Sequence, residues 1–216
     1  MPGIIVFLGP SLDLDSAEKI LAAEYRPPAK RGDITAAVNE GAEIIGLIDG
    51  VFHQDCAVAH REILYAVKKG VKIVGASSMG ALRAAETDTL GMVGIGRIYK
   101  MYKSSELESD DEVALVFDPV SGYSLSEPLI NIRFTLEAAK NAGVIDAQEH
   151  SALLATARLI FYPNRTYAKI VSSAPESVSA QTREKFLAWV DTNACDQKRE
   201  DAEEALRYIA GIAGQD

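Results

Sequence analysis

The chain has 216 residues, 48% of them hydrophobic, enough to bury one substantial core with a smaller helical appendage but hardly two full domains. Its 22 basic against 31 acidic residues give a formal charge of −9, a balance that argues against a general nucleic-acid binder. The two cysteines, Cys56 and Cys195, have no CxxC partner, so neither a disulfide framework nor a cysteine-rich zinc site is indicated and a reducing, cytoplasmic setting is expected.

Gly3 to Leu8 is a β-branched apolar run ending at Gly9-Pro10, which predicts a buried strand. It is too short for a membrane span and lacks the positive flank of a secretory signal. Arg26-Pro27-Pro28-Ala29-Lys30-Arg31 reads either as a basic loop able to receive a carboxylate or as a solvated turn. Glu43 to Asp49 and Val71 to Gly75 predict two further strands, with a helix from Asp55 to Lys69 between them, capped by Asp55 and closed by Lys68-Lys69-Gly70. Buried strands joined through a helix imply a parallel sheet.

From Ser78 onward Met79, Leu82 and Ala85 recur at helical spacing, so the third strand runs through a tight serine turn straight into a helix. Gly91, Gly94 and Gly96 then interrupt the pattern, and Val113 to Phe117 predicts another strand. Ser126 to Ala142, Asp146 to Phe161, Gln181 to Val190 and Lys198 to Ile209 predict helices, with a hinge at Ser172 to Ala180. The expected fold class is α/β: an N-terminal parallel sheet flanked by helices over residues 1–142, and a mainly helical C-terminal extension over 143–216 packed on it.

Ligands in open parallel sheets bind outside the carboxyl ends of the strands. Here those ends carry Gly9-Pro10-Ser11, Asp49-Gly50-Val51-Phe52-His53 and Ser77-Ser78. Gly75-Ala76-Ser77-Ser78-Met79-Gly80 resembles a nucleophile elbow: small neighbours let the turn present a hydroxyl, and helix-start N–H groups can receive an oxyanion. Ser78 has Gly80 two residues on, Ser77 has Gly75 two residues back, and each matches the elbow pattern on one flank only. Ser78 is the preferred nucleophile, with Ser77 as the alternative; a helix cap is the competing role for either.

His53 is the candidate base and Asp49 or Asp55 the group that orients it. His60 is expected on a helix packing surface and His150 on a helix surface. His53, Cys56 and His60 form an H-x2-C-x3-H trio without a signposted fourth ligand, so no metal is expected; Cys56 reads as a buried helix residue, with a nucleophilic role as its alternative. Gly9, Ser11, Arg26, Arg31, Met79 and Arg83 are candidate substrate contacts around the crevice. Nothing matches a P-loop or a dinucleotide-binding glycine pattern.

Taken together, Tyr25-Arg26-Pro27-Pro28-Ala29, Arg31-Gly32-Asp33-Ile34, Ile48-Asp49-Gly50-Val51-Phe52-His53, His60-Arg61-Glu62-Ile63, Gly75 to Glu86, Asp110-Asp111-Glu112-Val113-Ala114 and Ser126 to Arg133 resemble the TfuA-like family over roughly residues 3 to 142. The resemblance implies an accessory factor in peptide backbone thioamidation, beside a YcaO-type enzyme that uses ATP to activate a backbone amide of a precursor peptide. It also implies release of sulfur from a thiocarboxylated ubiquitin-like carrier. No tightly held cofactor is expected, and the charge balance and the shortness of the apolar runs lead to the expectation of no nucleic-acid and no membrane partner. Two classes of function are open: a hydrolase that frees sulfide, and a noncatalytic adaptor that docks the YcaO partner and its peptide. A nonspecific peptidase, suggested by a Clp-like serine turn at Ser78-Met79-Gly80-Ala81, is a third.

Overall fold

The computed structural model describes residues 3–52, 56–118 and 122–214. The chain divides into two compact units, residues 1–110 with 198–216, and residues 111–197. The sequence reading divides the chain at residue 142 instead. The last helix belongs to the first unit because its apolar stripe covers one face of the sheet there.

The first unit is a five-stranded parallel sheet of order β2-β1-β3-β4-β5. Its strands are β1 (Ile4–Phe7), β2 (Glu24–Arg26), β3 (Ile44–Leu47), β4 (Lys72–Gly75) and β5 (Val93–Gly94). The three predicted central strands are present, in the register Ile5↔Ile45↔Ile73. Alternate side chains go to opposite faces of a strand. Val6, Ile44 and Val74 therefore pack with the helices α1 (Leu14–Glu18) and α10 (Gln197–Ala213), whereas Phe7, Ile45, Leu47 and Ile73 pack with α2 (Asp33–Asn39), α3 (His60–Lys68) and α4 (Met79–Thr87). Both faces are covered, as parallel sheets require.

Ala202, Ala205, Leu206 and Ile209 form the stripe by which α10 lies on the sheet. Gly46 in β3 makes room for it: a Cβ there would press on Ile209 Cδ1 at 3.0 Å. Nearer the start of α10, the Asp201 carboxylate accepts the Arg97 and Ile98 N–H groups at 3.0 and 2.7 Å, capping α5 (Gly96–Lys103) from outside its own sequence. Gly96, at φ 91°, has no Cβ to block that carboxylate.

Two predicted elements differ. The helix expected from Asp55 runs from His60, with the Ala59 N–H bonded to Glu62 Oε1 at 3.2 Å; Asp55 lies outside the described residues. Val113 to Phe117 forms no strand in the sheet. It carries one isolated bridge, Phe117 to Ser124, and its Val116 N–H is taken by Ser126 Oγ, so the β-branched run is irregular chain. The edge strands β2 and β5 are short, β2 carries charges at both ends, and neither presents an apolar run.

The second unit packs α6 (Leu129–Asn141), α7 (Ala147–Leu159), α8 (Tyr167–Ser173) and α9 (Ala180–Asn193) around a core that includes Ile132, Leu136, Leu153, Ile170 and Phe186. Arg165, 1% exposed, is held by the Asp111 carboxylate at 2.6 Å and by the Ala157 and Ile160 carbonyls. Asp146 caps α7, accepting from the Gln148 and Glu149 N–H groups.

Candidate active site

At the end of β4 the chain reverses within three residues. The Ser78 N–H donates to the Ala76 carbonyl at 2.8 Å, an i to i+2 bond that makes Ser77 the apex of a γ-turn, and Ser77 has φ 65°. A side-chain-bearing residue in that region is uncommon and strained, and such residues cluster at functional sites. Ser105 is the only other non-glycine residue with positive φ among the described residues, and it follows the C-cap of α5, where the left-handed conformation is routine. Small residues are a steric condition of the turn. A Cβ on Gly80 would overlap the Leu47 carbonyl, and one on Gly75 would overlap Gly80.

Ser78 occupies the N-cap position of α4, yet its side chain makes no cap bond. Capping therefore does not account for either serine. The Ser77 hydroxyl donates to Ser11 Oγ at 3.0 Å, and Ser11 Oγ donates to Asp49 Oδ1 at 2.7 Å. Asp49 Oδ2 accepts the Gly9 and Ser11 N–H groups at 2.9 and 3.1 Å, and Lys198 Nζ lies 3.9 Å from Oδ1. In the order β2-β1-β3 the chain switches sides between β1 and β3, so the loops after these strands diverge and leave a crevice. The Asp49 carboxylate ties those two loops together, and the serine turn after β4 joins them through Ser11. Ser77, Ser78, Ser11, Asp49 and Lys198 are all buried.

The remaining predicted residues divide. Arg31, Met79 and Arg83 line a cleft of about 470 Å³, with Phe52, His60 and Glu86. Arg83 is anchored by the Val58 carbonyl at 2.9 Å and Glu86 at 2.6 Å, and Glu86 also meets His60 Nε2 at 2.8 Å. His60 thus faces the cleft and not a helix packing surface. Arg26 does not reach the crevice: it pairs with Glu24 and Glu40 along the sheet edge. Cys56 is exposed and precedes α3, so it is not a buried helix residue, and its carbonyl accepts the Arg31 N–H. His150 on α7 sits 3.6 Å from Glu137, with its pKa pushed down, chiefly by burial.

His53 lies outside the described residues. Among the described residues no three His, Cys, Asp or Glu side chains come together as a metal site, and no helix is long and apolar enough to cross a membrane. Sequence reasoning missed Lys198. Its signal is a lysine at i−4 from Ala202, on the apolar stripe of α10.

The family model described as TfuA-like protein matches residues 49–166, more than half of the chain. The chain belongs to the TfuA-like family. No curated protein matches it. The matched segment of this TfuA-like protein begins at Asp49 and includes the serine turn, Met79 and Arg83, whereas Gly9, Ser11, Arg26, Arg31 and Lys198 lie outside it.

Proposed function

We propose that this TfuA-like protein is an accessory hydrolase of peptide thioamidation, which releases sulfide from the thiocarboxylated C-terminus of a ubiquitin-like carrier for a YcaO-type partner acting on a precursor peptide. Family membership supports the accessory role and the association with a YcaO-type partner. The single observation that carries the hydrolase reading is Ser77 at the apex of the γ-turn, held at φ 65° with its hydroxyl in the chain Ser77, Ser11, Asp49. That observation moves the preferred nucleophile from Ser78 to Ser77.

In this reading Ser77 Oγ attacks the carbonyl carbon of the thiocarboxylate while its proton passes toward Ser11 Oγ and the Asp49 carboxylate. We assign the Met79 N–H at the start of α4 to the developing oxyanion, because the Ser78 N–H serves the turn and the Gly80 N–H donates to the Ile48 carbonyl. Collapse breaks the C–S bond, and the proton leaves with sulfur as hydrosulfide. Water then cleaves the Ser77 ester, giving the carrier carboxylate and restoring the hydroxyl. The cleft beside Met79 takes the carrier tail, with Arg31 and Arg83 as cationic contacts. The reaction uses no cofactor of the protein's own, ATP is consumed by the partner, and the setting is cytoplasmic.

A second reading, a noncatalytic adaptor, is favoured by the burial of Ser77 and Ser78, 0% and 1% exposed. Sulfide release from the thiocarboxylated carrier by the purified chain separates the two. The hydrolase reading expects turnover without the partner, loss on Ser77→Ala of about 10³-fold or more, and unchanged circular dichroism. No turnover by the wild-type chain alone would leave the adaptor, whereas turnover unaffected by Ser77→Ala, Ser78→Ala, His53→Ala and Cys56→Ala alike would overturn the serine-turn mechanism.

A further inference from the structure

We propose that Lys198 is a positioning residue of the serine turn, acting through Asp49, so that α10 is a working part of the site; this rests on the hydrolase reading above. The Lys198 side chain is 2% exposed and its ammonium lies 3.9 Å from Asp49 Oδ1. Lysine is almost never fully buried unless paired, since removing an ammonium from water is costly.

Lys198 extends the stripe of Ala202, Ala205 and Leu206 at the carboxyl end of the strands, where an apolar side chain would continue the packing. Replacing a buried ion pair by apolar residues is often neutral or stabilising, so stability alone does not explain the pair. The place of Asp49 does. One carboxylate oxygen faces both Lys198 and the Ser11 hydroxyl, and the other takes the Gly9 and Ser11 N–H groups. With the cation in place the carboxylate is clamped through both oxygens, Ser11 is fixed by its N–H and its hydroxyl, and the Ser11 lone pair is aimed at Ser77. Neighbouring charges on the same helix are engaged elsewhere: Arg199 with Asp13 and Glu203, and Asp201 with the start of α5.

The test uses the full chain, measuring sulfide release from the thiocarboxylated carrier and labelling of Ser77 by a fluorophosphonate. Lys198→Gln is expected to lower kcat by about tenfold to a hundredfold with KM nearly unchanged, because misaim of the attacking group costs rate and not binding. Lys198→Arg restores most of that loss, labelling follows kcat, and Arg199→Gln on the adjacent residue leaves kcat as in wild type. Wild-type kcat in folded Lys198→Gln overturns the proposal, as does an equal fall in Arg199→Gln. If Lys198→Gln does not fold, Lys198→Met takes its place; if neither neutral variant folds, the cation is structural and the proposal fails. Absence of turnover and labelling in wild type overturns the hydrolase reading itself, and this inference with it.

Discussion

The Ser77 hydroxyl, on the turn after β4, donates to Ser11 Oγ, on the loop after β1, at 3.0 Å. Two loops far apart in the chain are joined by one buried hydrogen bond, and the bond has a direction: Ser77 gives and Ser11 receives. Ser11 in turn donates to Asp49. Ser11→Ala breaks this relay without touching the turn. The expected outcome is a loss of about 10²-fold in kcat for sulfide release, in the range of proton-transfer assistance. Steady-state kinetics of the folded variant check it; wild-type kcat would remove Ser11 from the mechanism.

Backbone strain at Ser77 is open to a separate measurement. Glycine adopts positive φ freely, whereas alanine does not. Ser77→Gly is therefore expected to be more stable than Ser77→Ala in urea unfolding, since both lose the hydroxyl and relief of a positive-φ penalty of about 1–3 kcal/mol outweighs the roughly 0.8 kcal/mol of the buried Cβ that only alanine keeps. Both should be inactive. Equal stability would show that φ 65° costs no more than that Cβ contributes and would weaken the case for the turn as an elbow.

The central sheet and the site were legible in the sequence to different depths. Ile4 to Phe7, Ile44 to Leu47 and Lys72 to Gly75 stand out because buried parallel strands are short β-branched runs bounded by glycine. Glu24-Tyr25-Arg26 and Val93-Gly94 pair only at the sheet edges, where neither length nor apolarity is required, and so left no pattern. Gly9, Ser11, Asp49 and Ser77 could be expected together because strand carboxyl ends converge in this topology. Lys198 could not, since nothing local to α10 says which surface its stripe covers. The same physics misread Val113 to Phe117: a β-branched apolar run signals burial, not pairing.

Close approach at the elbow gives Gly80→Ala an unusual sign. In an ordinary helix the change stabilises by about 1 kcal/mol. At Gly80 the added Cβ would overlap the Leu47 carbonyl of β3, a backbone atom that cannot swing aside. The expected outcome is destabilisation of about 3 kcal/mol or more, with loss of sulfide release in whatever fraction folds, because α4, which follows directly on the Ser77 turn, must move away from β3. Thermal unfolding of the variant checks it. A stabilised Gly80→Ala would mean that the strand and helix are farther apart than the turn requires.

Asp13 links α1 to α10, and its titration gives a pH signature. Its carboxylate accepts the Ser16 N–H as N-cap of α1 and pairs with Arg199 at 2.9 Å. The Ser16 N–H first, then the Ser16 hydroxyl and Arg199, lower its pKa from 3.8 to about 2. A carboxylate with a depressed folded-state pKa contributes stability that is complete above its unfolded value and is lost as pH falls through the folded one. Asp13 should thus support α1 fully above pH 3.8 and lose that support toward pH 2. The side chain is 54% exposed, so solvent screening holds the contribution to about 1 kcal/mol or less. Asparagine caps a helix nearly as well as aspartate but carries no charge. Asp13→Asn should therefore match wild type near pH 2, be slightly less stable at about pH 6, and have a shallower slope between them in urea unfolding. Parallel slopes for the two proteins would show that the cap works without its charge and that Arg199 adds nothing to the hold of α10 on α1.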